Sequence, residues 1–378
     1  MMQRLKTPIL FLLIAFVSGC GHKNVSVENQ SNSFKNSSFF TLSPSNRPTS
    51  YLYAPGLMGS EIIMGRYCPC FIASTGEKIS WKVGGHVIGQ PHSAVIFPEI
   101  DLKKHRFTFN PIKAFFNRVL RDMFPLAERF FSEKYGIKVV GDPSLKETVA
   151  NYNFNLSRTN IAQRGDINAL RKTYAAHLRA YPNTDVVLYG DSRGAATVFN
   201  FIALDKPVQV KAAVIEGVFD AVPHALKHFI YTDKEHRTEE RLDNTLCTVM
   251  RSYKKKAPTP LDYANRINDD IPLLLVTSLQ DWIVSPQCTF NLYKKLKTRG
   301  HRKLHLLVLK HASHPGYMLD DPVDKELYES VVHAFYKHYQ LPHNYERALA
   351  GQSAFASTQP TCEELTTSYA LSRCALCI

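Results

Sequence analysis

No Cys pair with zinc-finger spacing in this chain is followed by a second ligand pair, and no aromatic RNA-binding motif accompanies its basic residues, so a sequence-reading nucleic-acid protein is not expected. The apolar run Pro8 to Val17 falls well short of the roughly 20 residues a bilayer-spanning helix needs. No segment repeats, which argues against solenoids and propellers. Acidic residues are scarce, with 33 Asp and Glu against 46 Lys and Arg, for a formal charge of +13. The excess is scattered rather than gathered into a stripe, and reads as a solvated basic surface suited to an anionic membrane. Cys374 and Cys377 have C-x-x-C spacing but no second ligand pair, which disfavours zinc and favours a disulfide in an exported tail. Of eight cysteines, setting Cys20 aside leaves an odd number, so pairing within one chain is incomplete.

With 378 residues and 44% hydrophobic content, the chain can bury a substantial core, and one α/β domain with insertions is the natural size class. The chain opens as a targeting segment: Arg4 and Lys6, the apolar run, then Ser18, Gly19 and Cys20. Val17-Ser18-Gly19-Cys20 resembles the bacterial lipobox, which implies that Cys20 is diacylated and becomes the new N-terminus. An ordinary signal peptide cut nearby, or an uncleaved anchor, is the competing reading. Gly21 after the cysteine resembles lipoproteins passed on to an outer membrane. The expectation is a signal peptide over 1–20, an Asn- and Ser-rich tether over 21–48, and an exported protein lipid-anchored to the bacterial cell envelope.

The stretch from Asp185 to Leu204 organises the rest. Val186 to Tyr189 reads as a buried parallel strand, and Ala195 to Phe199 opens a helix. Between them stands Gly190-Asp191-Ser192-Arg193-Gly194, a Gly-x-Ser-x-Gly in the strand-turn-helix context of a nucleophile elbow. So sharp a turn strains the serine backbone and tolerates only small neighbours two residues to either side, here Gly190 and Gly194. The helix N-terminus points unpaired amides at the serine oxygen.

Further strands are expected at Ser50 to Tyr53, Ala94 to Phe97, Tyr152 to Leu156, Val208 to Val218, Pro272 to Thr277 and Lys303 to Lys310. Helices are expected at Pro111 to about Tyr135, at Asp166 to Ala180 with Asp166 able to cap it and Pro182 stopping it, and at Lys325 to Tyr339. The loop Ala54 to Ser60 leaves the first strand, with Pro55 and Gly56 marking a turn.

A serine needs a base, and the base needs an acid to hold its tautomer. Asp281 follows the Pro272 to Thr277 strand and is the candidate acid; its rival role is capping the next helix, and Asp220 is the alternative. In His311-Ala312-Ser313-His314, after the last strand, either His311 or His314 could serve as the base from a loop over the same sheet edge.

Elbow, acid and histidine in this order resemble the α/β-hydrolase superfamily over roughly Tyr51 to Tyr339. The resemblance implies an α/β fold with a mostly parallel central sheet, flanking helices and cap or insertion segments. It implies a hydrolase domain over 49–340, with an insertion near 61–149 and a cap at 220–268, followed by a polar, Cys-containing tail over 341–378. Ser192 would attack a carbonyl, His314 would shuttle the proton and Asp281 would orient the imidazole. The amides of Leu57 and Arg193 would meet the oxyanion, with no metal or organic cofactor. The expected activity is hydrolysis of an ester, thioester or amide, foremost as an esterase or lipase. The partners expected are a small-molecule or lipid acyl substrate and, through the anchor, a membrane. A non-catalytic surface lipoprotein of this fold is the alternative from another class. A peptidase of the same fold is a second; it would usually need a large gating domain, for which there is little room.

Overall fold

A computed structural model describes residues 49–54, 56, 95–96, 161–230, 243–244, 246–247, 253–281, 283–314, 317 and 321–365. Cys20, the tether, most of the 61–149 insertion, the Tyr152 to Leu156 strand, the Pro111 to Tyr135 helix, Leu57, most of the inner part of the cap, and Cys374 with Cys377 all lie outside them.

Apolar runs with β-branched residues form the sheet because, in a parallel sheet covered on both faces, every side chain is buried. The strands are β1 (Thr49–Ala54), β2 (Val95–Ile96), β3 (Asp185–Asp191), β4 (Val210–Glu216), β5 (Leu273–Ser278) and β6 (Leu304–Leu309). They are all parallel, in the order β2-β1-β3-β4-β5-β6. The strand period of two sorts their residues onto two faces. Leu52, Val186, Leu188, Ala213, Ile215 and Leu275 face one core. Tyr51, Tyr53, Val187, Tyr189, Val214 and Val276 face the other.

The first core is covered by α1 (Arg164–Ala180), α2 (Arg193–Asp205) and α5 (Pro286–Thr298), after the shorter α3 (Val222–Ile230) and α4 (Pro260–Tyr263). Helix α2 is apolar almost all round, and Ala195, Ala196, Val198, Phe199 and Ile202 are wholly buried. Removing the Phe199 ring alone would cost about 3–5 kcal/mol. Helix α1 shows the expected face in Ile167, Leu170 and Tyr174. It begins two residues earlier than its sequence suggests, with Gln163 at the N-cap. Asp166 does not cap it; its carboxylate reaches back to the Ala162 amide at 2.9 Å.

The second core is covered by α6 (Pro322–His338), whose N-cap Asp321 accepts from the amides of Val323 and Asp324. The polar segment after residue 340 folds back as α7 (Tyr345–Ala350) and α8 (Gln352–Ala356). Leu341 and Phe355 enter this core, and the Thr358 carbonyl accepts from the Leu306 amide at 2.7 Å. Residues 341–365 therefore pack as part of the domain: a few spaced apolar anchors seat an otherwise polar segment. Among the described residues no helix is long and apolar enough to cross a membrane.

Candidate active site

In a parallel sheet all the carboxyl ends emerge at one edge, where α/β folds bind their ligands. Gly56 after β1, Ser192 after β3, Gly217 after β4, Asp281 after β5 and His314 after β6 share that edge.

The elbow is built by sterics. A Cβ on Gly190 would stand 2.6 Å from the Gly194 carbonyl oxygen and 2.8 Å from the Ala195 nitrogen, so strand and helix pass backbone to backbone. Ser192 between them has φ 52° and ψ −115°, a conformation of order 1–3 kcal/mol above the common regions for a residue with a side chain. Such strain persists where its surroundings enforce it. Here the Ser192 amide donates to the Glu216 carbonyl at 2.8 Å, locking the turn to β4. Ser192 is the N-cap of α2, at its positive dipole end.

Past β5 the chain makes a tight turn around the Asp281 carboxylate, whose Oδ1 accepts from the Ile283 and Val284 amides at 2.9 and 2.7 Å. The other oxygen, Oδ2, accepts from His314 Nδ1 at 2.9 Å. Asp281 does not cap α5; that role falls to Ser285, which accepts from Gln287. A proton held at Nδ1 leaves the Nε2 lone pair of a neutral imidazole free to take another, the arrangement a general base requires.

The loop after β6 is held from below. Asp324 of α6 accepts from the amides of Lys310, His311 and Ala312 at 3.0, 2.6 and 2.7 Å. Ser278 Oγ donates to the Ala312 carbonyl. Above this clamp the His311 side chain lies exposed, while His314 is buried against Asp281. Asp220 belongs to another cluster, accepting from His224 Nδ1 and Asn291 Nδ2, each at 2.8 Å.

Ser192 and His314 are linked through the end of β4. Gly217, next to the residue that holds the Ser192 amide, takes φ +56°, and a Cβ there would stand 3.1 Å from His314 Cε1 and Nδ1. Arg193 turns its guanidinium to Asp166, with Nε 3.5 Å from Oδ2, and its amide begins α2.

Three residues escaped the sequence reading. Tyr317 donates to Asp281 Oδ2 at 2.5 Å and accepts from the Ser278 amide at 3.1 Å. Burial, and then the neighbouring Asp281 charge, push its hydroxyl well above the usual tyrosine range, so it stays a donor. His228 Nε2 donates to the Asp281 carbonyl at 3.0 Å. Asp191, the residue before Ser192, is buried, and that burial pushes its carboxyl up against the opposing pull of Tyr53, His314 and Gly56. Tyr317 stands three residues past His314, and no spacing rule marks any of the three.

The parallel sheet flanked by helices, with the strained strand-to-helix elbow at Ser192, has the architecture of the α/β-hydrolase fold. A model described as the prolyl oligopeptidase family matches residues 163–340, the segment that carries Ser192, Asp281 and His314. That match, over somewhat less than half of the chain, is the one comparison by sequence that points toward a serine hydrolase. No curated protein matches the chain. Among solved structures, the acylaminoacyl peptidase of Pyrococcus horikoshii is similar at 14% identity and a TM-score of 0.40, over 79% of this chain and 38% of that one. An esterase of Pyrococcus furiosus is similar at 12% identity and a TM-score of 0.38, over 84% of this chain and 97% of its own. A puromycin-hydrolysing peptidase of Mycobacterium tuberculosis has 14% identity and a TM-score of 0.39, over 78% and 34%. The chain spans little more than a third of the length of either peptidase.

Proposed function

We propose that the protein cleaves a carboxylic ester, thioester or amide through Ser192, His314 and Asp281, acting foremost as an esterase or lipase. The observation that carries this reading is the 2.9 Å hydrogen bond from His314 to Asp281 on the sheet edge where Ser192 is held strained at a helix N-terminus. In the first step Ser192 Oγ bonds to the carbonyl carbon and its proton passes to His314 Nε2. The tetrahedral oxyanion is met by backbone amides, Arg193's at the start of α2 and one from the loop after β1, each typically worth about 3–4 kcal/mol. Collapse breaks the bond to the alcohol, thiol or amine, which leaves with the His314 proton. Water, deprotonated by the same imidazole, then releases the acid and regenerates Ser192. Asp281 holds the ring throughout and stabilises the imidazolium, and these residues accomplish the cycle without a cofactor.

The matched peptidase family supports a second reading, cleavage of short peptides by the same three residues. A panel of p-nitrophenyl esters of graded chain length beside aminoacyl and dipeptidyl p-nitroanilides separates the two. Ester turnover that vanishes in Ser192→Ala supports the first; turnover confined to the anilides replaces it with the second. At the start of the chain, Val17 to Cys20 supports export and acylation of Cys20, placing the enzyme on an envelope membrane beside lipid acyl substrates. Mass spectrometry of the mature N-terminus tests that, and an intact Met1 would refute it.

A further inference from the structure

The carboxylate beside the nucleophile has no place in the three-residue scheme, yet it is sealed inside the protein at the reacting edge. Asp191 Oδ1 accepts two hydrogen bonds, from the Tyr53 hydroxyl at 2.6 Å and from the Gly56 amide at 2.9 Å. Both donors come from β1 or the loop leaving it, while Asp191 closes β3, the adjoining strand, where Ala54 pairs with Gly190. Gly56 is pressed against the elbow: a Cβ added there would stand 2.7 Å from Asp191 Oδ2 and 3.4 Å from Ser192 Cβ. Gly56 therefore lies close against Ser192, and one carboxyl oxygen ties its amide down. A chain leaving a strand has free torsions unless its amides are engaged, and bonds to a carboxylate are among the stronger ways to engage them. Burying such a group costs stability, and an apolar side chain of similar size would avoid that cost.

We propose that Asp191 is a positioning residue, whose Oδ1 fixes the loop at Gly56 against Ser192 so that the backbone facing the oxyanion is set before the substrate arrives. This rests on the serine-hydrolase reading. It assigns the residue between Gly190 and Ser192 a role as acceptor, not as acid or base, and it makes Tyr53 the second donor that keeps the oxygen in place.

The test is steady-state kinetics of the full chain on its best p-nitrophenyl ester, together with inhibition by an alkyl boronic acid, which forms a tetrahedral adduct on an active serine. Asp191→Ala is expected to lower kcat about 10²-fold, the scale of losing one oxyanion donor, with KM changed less than about threefold and boronate affinity weakened in step with kcat. Asp191→Asn keeps an acceptor oxygen and is expected to stay within about tenfold of wild type, since its loss is only that of a charged partner. Gly56→Ala, whose methyl collides with the carboxylate, should lose kcat as Asp191→Ala does, and the double variant should be no worse than the poorer single one. A folded Asp191→Ala with unchanged kcat and boronate affinity, a loss confined to KM, or an Asn variant as poor as Ala would overturn the proposal. Should Asp191→Ala fail to fold, an unimpaired Gly56→Ala overturns it instead. Fluorophosphonate labelling distinguishes the two levels. A labelled wild type with unimpaired variants overturns this proposal alone, while an unlabelled wild type overturns the serine-hydrolase reading and this one with it.

Discussion

Replacing Gly217 by Ala perturbs the site at one atom. The residue sits at φ +56°, where a side chain costs about 1–2 kcal/mol. The new Cβ would also stand 3.1 Å from two atoms of the His314 ring, closer than ordinary carbon contacts allow. The ring cannot retreat freely, because Nδ1 is held by Asp281 at 2.9 Å, so the conflict resembles overpacking at about 1–3 kcal/mol. Together these predict a loss of about 2–5 kcal/mol and a fall in Tm on the order of 10 °C. A ring displaced by a few tenths of an ångström should also slow acylation about ten- to a hundredfold, on the scale at which 1 Å of misplacement costs about 10²-fold. Gly300→Ala supplies the control: its φ is +89° and nothing lies within 4 Å of its added Cβ, so it bears only the backbone cost and leaves the rate alone. Thermal melts and ester hydrolysis of both variants read the two effects separately. If Gly217→Ala melts with Gly300→Ala and turns over like wild type, the proposed packing of the imidazole on β4 is wrong.

Tyr317→Phe deletes a hydrogen bond to the Asp281 carboxylate, which predicts about 1.5–3 kcal/mol of lost stability and a lower kcat with little change in KM; equal melting and rate would contradict this. Gly190→Ala drives a methyl into the backbone of Gly194 and Ala195, so soluble expression followed by near-UV circular dichroism should find no native elbow, and a native, active variant would refute it. His305, bonded to Thr358 and Tyr339, has its pKa lowered to about 3 by burial, then by the nearby His338, Lys297 and His301. The unfolded chain, at about 6.5, takes up this proton first, so its stabilising effect is full above that pH and is lost as pH falls toward 3, by as much as about 1.4 kcal/mol per pH unit. Denaturation midpoints at pH 7.5 and 5 should therefore differ less in His305→Asn than in wild type; an unchanged difference would contradict the assignment.

The strands were legible because burial on both faces writes them as unbroken apolar runs, as in Val186 to Tyr189 and Leu273 to Val276. Gly190 and Gly194 were legible for a steric reason that needs only local geometry. The choice between His311 and His314 had only a weak local basis. The loop that carries both is held by Asp324, a helix residue whose three amide partners become visible only when α6 is laid across β6. Tyr53 and Gly56 lie more than 130 positions from Asp191, and no periodicity encodes a contact of that span. The segment after residue 340 misled through its composition: Leu341, Ala348 and Phe355 are too widely spaced to read as a packed face, yet each is buried.

The measurement that bears most directly on the central claim is covalent labelling of the folded protein with a fluorophosphonate, followed by intact mass and peptide mapping. An activated serine beside a base and an oxyanion site reacts, while an ordinary buried or surface serine does not. A single adduct on Ser192, lost in Ser192→Ala and strongly slowed in His314→Ala, is the predicted result. A folded wild type that takes up no label, or takes it up at another residue, would contradict the account.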